Sequence, residues 1–88
     1  MRFLVICRPA EGGDPDEFER LVPFETEVLR GQKANGVLID AWSPGRPGAV
    51  LVLETADADQ AARVVARFPL VEADLITTEI IPLHPIDL

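Results

Sequence analysis

One cysteine, one histidine, one tryptophan and no tyrosine are present in this 88-residue chain. Cys7 alone cannot close an intramolecular disulfide. With His84 as the only imidazole, no CxxC, HExxH or comparable spacing exists to hold a metal. Neither a metal nor another cofactor is expected. Cys7 ends the apolar run "FLVIC" and reads as a buried small hydrophobe. Basic residues are also scarce: eight Lys and Arg against fifteen Asp and Glu leave a formal charge of -7. A nucleic-acid partner is therefore not expected, because that affinity rests on neutralising phosphates. No run approaches the length of a membrane span, and the first thirteen residues lack the length and small-residue cleavage site of a signal peptide. A cytoplasmic protein without membrane contact is expected.

What is present is globular composition, 48% hydrophobic and 26% charged. The length suits a single domain spanning residues 1–88, whose surface stays large relative to the area it can bury, so a partner subunit is expected. Acidic charge is concentrated early. Glu11, Asp14, Asp16, Glu17, Glu19, Glu25 and Glu27 against Arg20 sum to -6, as suits the start of a helix.

"RFLVICR", Arg2 to Arg8, reads as a first strand, ended by Pro9 and Gly12-Gly13. "DPDE" then predicts a helix start, with Asp14 as N-cap, Pro15 at the first helical position and Glu17 completing a capping box. This helix runs toward Asn35-Gly36, a left-handed ending, with a kink or restart expected near Leu21 because of Pro23. Phe18, Leu21, Val22, Val28 and Leu29 form its apolar stripe, and Glu25 falls in the middle. Gly36 to Ser43 reads as a second strand, "PGRPG" as a turn and "AVLVLET" as a third strand, together an antiparallel hairpin. Strict alternation places Leu38, Asp40 and Trp42 on one face. Asp57 and Gln60 cap a second helix carrying Ala61, Val64, Val65 and Phe68; Pro69 ends it, and "LITTEIIPL" forms a fourth strand.

The order βαββαβ predicts a ferredoxin-like α+β fold, with two helices on one face of a four-stranded antiparallel sheet. The other face stays open and carries apolar residues. Packing two such faces together gives a dimeric α+β barrel, as a homodimer or within a higher homo-oligomer.

"ETADADQAARVVARFPLVEADLITTEIIPLHP" resembles the C-terminal half of muconolactone delta-isomerases, through Pro69-Leu70, Asp74, Ile76, Glu79, Pro82 and His84-Pro85. The likeness continues upstream through "ETE" at Glu25 to Glu27, Gly36 and Trp42. Where that family follows its strand Trp with Arg and has a preceding His, this chain has Ser43 and Ile39-Asp40. The resemblance implies a dimeric α+β barrel and bears on fold more firmly than on one particular lactone.

Five residues are candidates for the site. Glu25 is the proposed general base, since a desolvated carboxylate has its pKa raised toward carbon-proton abstraction; alternatively Pro23 swings it to solvent, or a backbone donor satisfies it. Asp40 either lines the same pocket and shares a proton with Glu25, or faces water from an edge strand. Trp42 offers a flat wall for an unsaturated ring, or is a core or interface residue. His84 is the one side chain with an ordinary pKa near neutrality; it assists catalysis from a docking tail that reaches a neighbouring subunit, or is inert. Arg46, at the turn tip, either catches a substrate carboxylate or merely solubilises the loop.

The function this implies is cofactor-independent, isomerase-like proton transfer on a small unsaturated or cyclic organic acid, lactone or polyketide-like molecule. The alternatives are a non-catalytic small-molecule-binding or oligomerisation module and a cofactor-free monooxygenase of the same fold.

Overall fold

Side chains of strand β1, Arg2–Pro9, alternate between two surfaces: Phe3, Val5 and Cys7 are buried, whereas Leu4 and Ile6 are half-buried. The computed structural model describes every residue, Met1–Leu88. β1 lies in the interior of a four-stranded sheet of order β2-β3-β1-β4, formed with β2 (Leu38–Trp42), β3 (Ala49–Glu54) and β4 (Ile76–Leu83). All neighbours are antiparallel, with Val5 opposite Leu51 on one side and Ile80 on the other. Pro82 sits on the edge strand β4, where the missing N–H is tolerated.

Helices α1 (Pro15–Ala34), α2 (Ala58–Ala66) and α3 (Pro69–Glu72) complete the fold. The expected α+β ferredoxin-like architecture is present, with a core that includes Val5, Leu51, Leu53, Val65 and Phe68 and has Phe18, Leu21 and Val28 of α1 packed against it. Buried residues number only 14 of 88. Much apolar surface is thus left partly open, notably on the sheet face away from that core.

α1 starts as expected at Asp14, whose carboxylate accepts the Asp16 N–H at 2.9 Å. Glu17 does not complete a capping box, and instead lies 3.8 Å from Arg20 one turn on. Nor does Pro23 break the helix, which runs unbroken through it; Pro23 is on the exposed side, where the carbonyl it leaves unpaired can be hydrated. The C-terminus is a Schellman arrangement: Gly36, at φ 76°, donates to Lys33 and Val37 donates to Gln32. α2 is capped as its sequence predicts, with Asp57 accepting from the Gln60 N–H at 2.8 Å and Gln60 reaching back to the Ala56 N–H. Pro69 stops α2 by opening a further turn, α3, that the sequence reading did not include.

The second strand begins at Leu38, not Gly36, and is interrupted by a bulge between Leu38 and Asp40. Leu38 pairs with buried Leu53, but Asp40 pairs with Val52 and Trp42 with Val50, which face the open side. One extra residue therefore moves Asp40 and Trp42 to the face opposite Leu38, correcting the strict alternation expected for this strand.

Candidate functional site

Glu25 is the one buried residue of α1, with only 9% of its surface exposed. The flanking stripe packs α1 against the sheet and carries the carboxylate inward with it, as helical periodicity requires. Its Oε1 accepts the Leu70 N–H at 3.0 Å. That donor belongs to the first turn of α3, whose N-cap position is occupied by Phe68 and supplies no side-chain acceptor. Glu25 thus caps a helix forty-five residues further along the chain.

The second oxygen, Oε2, has no hydrogen-bond partner in the protein, yet no buried side-chain oxygen is left unsatisfied, so Oε2 opens onto accessible space. Glu25 lines a cavity of about 210 Å³ between α1 and the sheet. Phe18, Val22, Glu25, Thr26 and Leu29 line it from α1 and Cys7, Ala49, Leu51 and Ile76 from the sheet, with Leu70, Pro47 and Gly48 completing the lining. Burial raises the Glu25 pKa above its ordinary value, and the Leu70 hydrogen bond offsets part of that rise. The Cys7 thiol is pushed up to about 11 by burial and then by the Glu25 charge, so it remains protonated at neutral pH.

Gly48 fixes the cavity margin. At φ 123°, its backbone lies so close to β1 that an added Cβ would stand 2.5 Å from the Cys7 carbonyl oxygen. Cys7 was legible only as a core residue, because "FLVIC" is apolar on both faces and gives no sign of which side meets a cavity. The signal overlooked was Gly48 at the end of the turn, where close backbone approach is one of the few reasons for glycine.

The remaining predicted site residues do not converge on Glu25. Asp40 is exposed on the open face, so it cannot share a proton with Glu25 in the same chain. Trp42 is 66% exposed on that face and walls no part of the cavity. Arg46 is exposed in the turn next to Pro47 and Gly48, outside the lining. His84 follows the end of β4, where Leu83 pairs with Arg2, whereas Cys7 marks the other end of β1. The five steps from Arg2 to Cys7 span roughly 17 Å at the rise of a β-strand. There His84 borders a larger, shallow groove of about 620 Å³ with Met1, Arg2, Glu54, Leu83 and Pro85. Glu54 in that groove is already paired with the terminal ammonium at 2.6 Å and with Arg2 at 3.2 Å. Only the smaller cavity is lined by a largely buried carboxylate with an unengaged oxygen.

No protein-family model and no curated protein sequence matches the chain. Among solved structures it is similar to muconolactone isomerase, at 20% identity and a TM-score of 0.78, over 100% of this chain and 95% of that one. It is also similar to 5-chloro-2-hydroxyhydroquinone dehydrochlorinase from Burkholderia phenoliruptrix AC1100, solved in complex with 2,5-dihydroxybenzoquinone. That match has 19% identity, a TM-score of 0.75, and covers 96% of this chain and 94% of that one. The likeness to muconolactone isomerases read from the sequence therefore holds for the fold.

Proposed function

We propose that this protein is a cofactor-independent enzyme that moves a proton within a small unsaturated or cyclic molecule, such as a lactone or polyketide-like ring, with Glu25 as general base. The observation that carries this reading is the asymmetry of one carboxylate: Oε1 is held by Leu70, while Oε2 is unengaged, on a largely buried side chain that lines the cavity. A C–H bond next to a conjugated carbonyl breaks, its proton passes to Oε2, and the electron pair is delocalised onto the carbonyl oxygen. Returning the proton to another carbon of the conjugated system completes an isomerisation without an oxidant or reductant. The enzymes that share this fold, an isomerase and a dehydrochlorinase, act on small molecules and support the class of reaction by analogy.

A second copy of the chain completes the proposal. Leu4, Ile6, Val50, Val52 and Ile81 form a half-buried apolar band on the open sheet face, extended by Trp42 and bordered by the Arg8–Glu79 pair. Face-to-face packing of two sheets covers that band and gives Asp40 and Trp42 interface roles. His84 then assists only at a neighbour's cavity, reached by its exposed tail, while Arg46 borders its own. Replacing Ile6 by Glu is expected to convert the dimer to monomer in sedimentation experiments, whereas an unchanged sedimentation coefficient would remove this assembly.

The Leu70 hydrogen bond also favours a second reading, a non-catalytic binder in which Glu25 serves only as a cap. Deuterium uptake from D2O into a panel of cyclic enones and lactones, followed by NMR, separates the two. Wild-type protein should catalyse exchange, and Glu25→Gln, which keeps an acceptor for Leu70, should lose it. Binding without exchange, or exchange unaltered in the Gln variant, refutes the proposed base.

A further inference from the structure

We infer that the Glu25 cavity selects uncharged ligands, namely single-ring lactones or conjugated ketones without a carboxylate, sulfonate or phosphate group. The inference rests on the reading of this cavity as a ligand site and narrows its substrate class. Of the residues that line the cavity, none is Lys, Arg or His, and Glu25 is the one acidic residue among them. Its remaining polar side chains are the Cys7 thiol, protonated at neutral pH, and the Thr26 hydroxyl, which donates to the Val22 carbonyl at 2.9 Å. The Leu70 N–H, a donor that an anion would otherwise use, is occupied by Glu25.

The cations elsewhere do not correct this deficit. Arg8 is paired with Glu79 on the opposite sheet face, and Arg20 and Arg30 face Glu17 and Glu27 along the outside of α1. Arg2 lies at the far end of β1, against Glu54. Lys33, Arg46, Arg63 and Arg67 are exposed and also outside the lining, Arg46 being the sequence neighbour of Pro47, and the one other basic group proposed to reach this cavity is a neighbouring subunit's His84. An anionic ligand would thus give up part of its hydration to face another carboxylate in a largely apolar, half-open pocket, with no counter-charge among the lining side chains. A neutral carbonyl compound meets no such penalty. The volume, below the roughly 300–1,000 Å³ of pockets for drug-sized ligands, suits one small ring.

The test is a matched pair: an unsaturated five-membered lactone bearing a side-chain carboxylate, and its nearly isosteric primary amide. Dissociation constants are measured by NMR titration of the Cys7 and Thr26 amide signals at about pH 8, well above the ordinary carboxylate range. The amide should bind roughly tenfold or more tightly than the acid, as expected for an uncompensated like charge at close range. In Glu25→Gln that ratio should fall but stay above unity, because the repelling charge is gone while the anion still loses hydration without a counter-charge. An acid that binds wild-type protein as tightly as the amide overturns the inference, and loss of acid binding in Arg46→Ala or His84→Ala would identify the compensating group. If neither compound moves the cavity signals, the ligand-site reading fails together with the inference. If the ratio behaves as expected but Glu25→Gln still exchanges deuterium, only the proposed base fails.

Discussion

Two carboxylates at opposite ends of β1 show how surroundings divide one functional group between two jobs. Glu54 is exposed and receives hydrogen bonds from the terminal ammonium and then Arg2, which hold its pKa below the ordinary value. Glu25 is enclosed and receives one hydrogen bond from an uncharged backbone donor, and its pKa is raised by burial. The first is held as an anion more firmly than an ordinary glutamate and is the weaker base. The second is a stronger base, with one oxygen unengaged, on a side chain that lines a cavity. The lesson is that the count of hydrogen bonds matters less than whether the donors carry charge and whether water is excluded.

The widest separation is expected in catalysis. Glu25→Gln should lower deuterium exchange by about 10²–10⁴-fold, the usual contribution of a positioned base, while Glu54→Gln leaves it unchanged. Equal losses in both variants would dissolve the distinction. Cys7 provides a sensor of the enclosed end: its pKa of about 11, raised from an ordinary 9.0, leaves about a hundredfold less thiolate than in the unfolded chain. Alkylation should be slowed at least that much in folded protein and hastened in Glu25→Gln, since the Glu25 charge contributes to the rise. An alkylation rate equal to that of the denatured chain would mean that the thiol is not enclosed.

Backbone geometry comes next. Gly48→Ala should destabilise the protein by roughly 1–3 kcal/mol in chemical denaturation, because φ 123° and the approach to Cys7 both resist a Cβ. The smallest effect is the pH dependence of stability, and it should have opposite signs at the two ends. Glu25 has a raised folded-state pKa, so its ionisation costs stability progressively as pH rises from the unfolded value through the folded one. Glu25→Gln should therefore melt a few degrees above wild type at neutral pH, with the difference vanishing toward about pH 4. Glu54 has a lowered pKa; its contribution is present above the unfolded value and disappears as pH falls through the folded one. Glu54→Gln should cost little, and nothing measurable in high salt. Parallel melting profiles for the two variants would contradict the contrast.

Local periodicity made much of this legible. Glu25 could be placed inward from sequence because a continuous helix keeps a constant angle per residue, and Pro23 failed to disturb it. The caps at Asp14, Gly36 and Asp57 were equally local, and the βαββαβ order followed from alternating periods of two and 3.6. Asp40 shares a face with Trp42 and meets water from an edge strand, as one of the two readings had it, but its separation from Leu38 was not legible because a bulge is a property of strand pairing, set by Val52 and Leu53 more than ten residues away. The partner of Glu25 was hidden for the same reason, since nothing near residue 25 announces that Phe68 leaves a helix end uncapped.

The bulge after Leu38 also divides β2 into two reading frames. Asp40 and Trp42 count toward the outer surface, while Ala41, opposite Leu51, counts toward the helices. A larger side chain at exposed Ala41 therefore extends over the helix-bearing side of the sheet, outside the cavity lining, whereas changes at Asp40 or Trp42 alter only the opposite face.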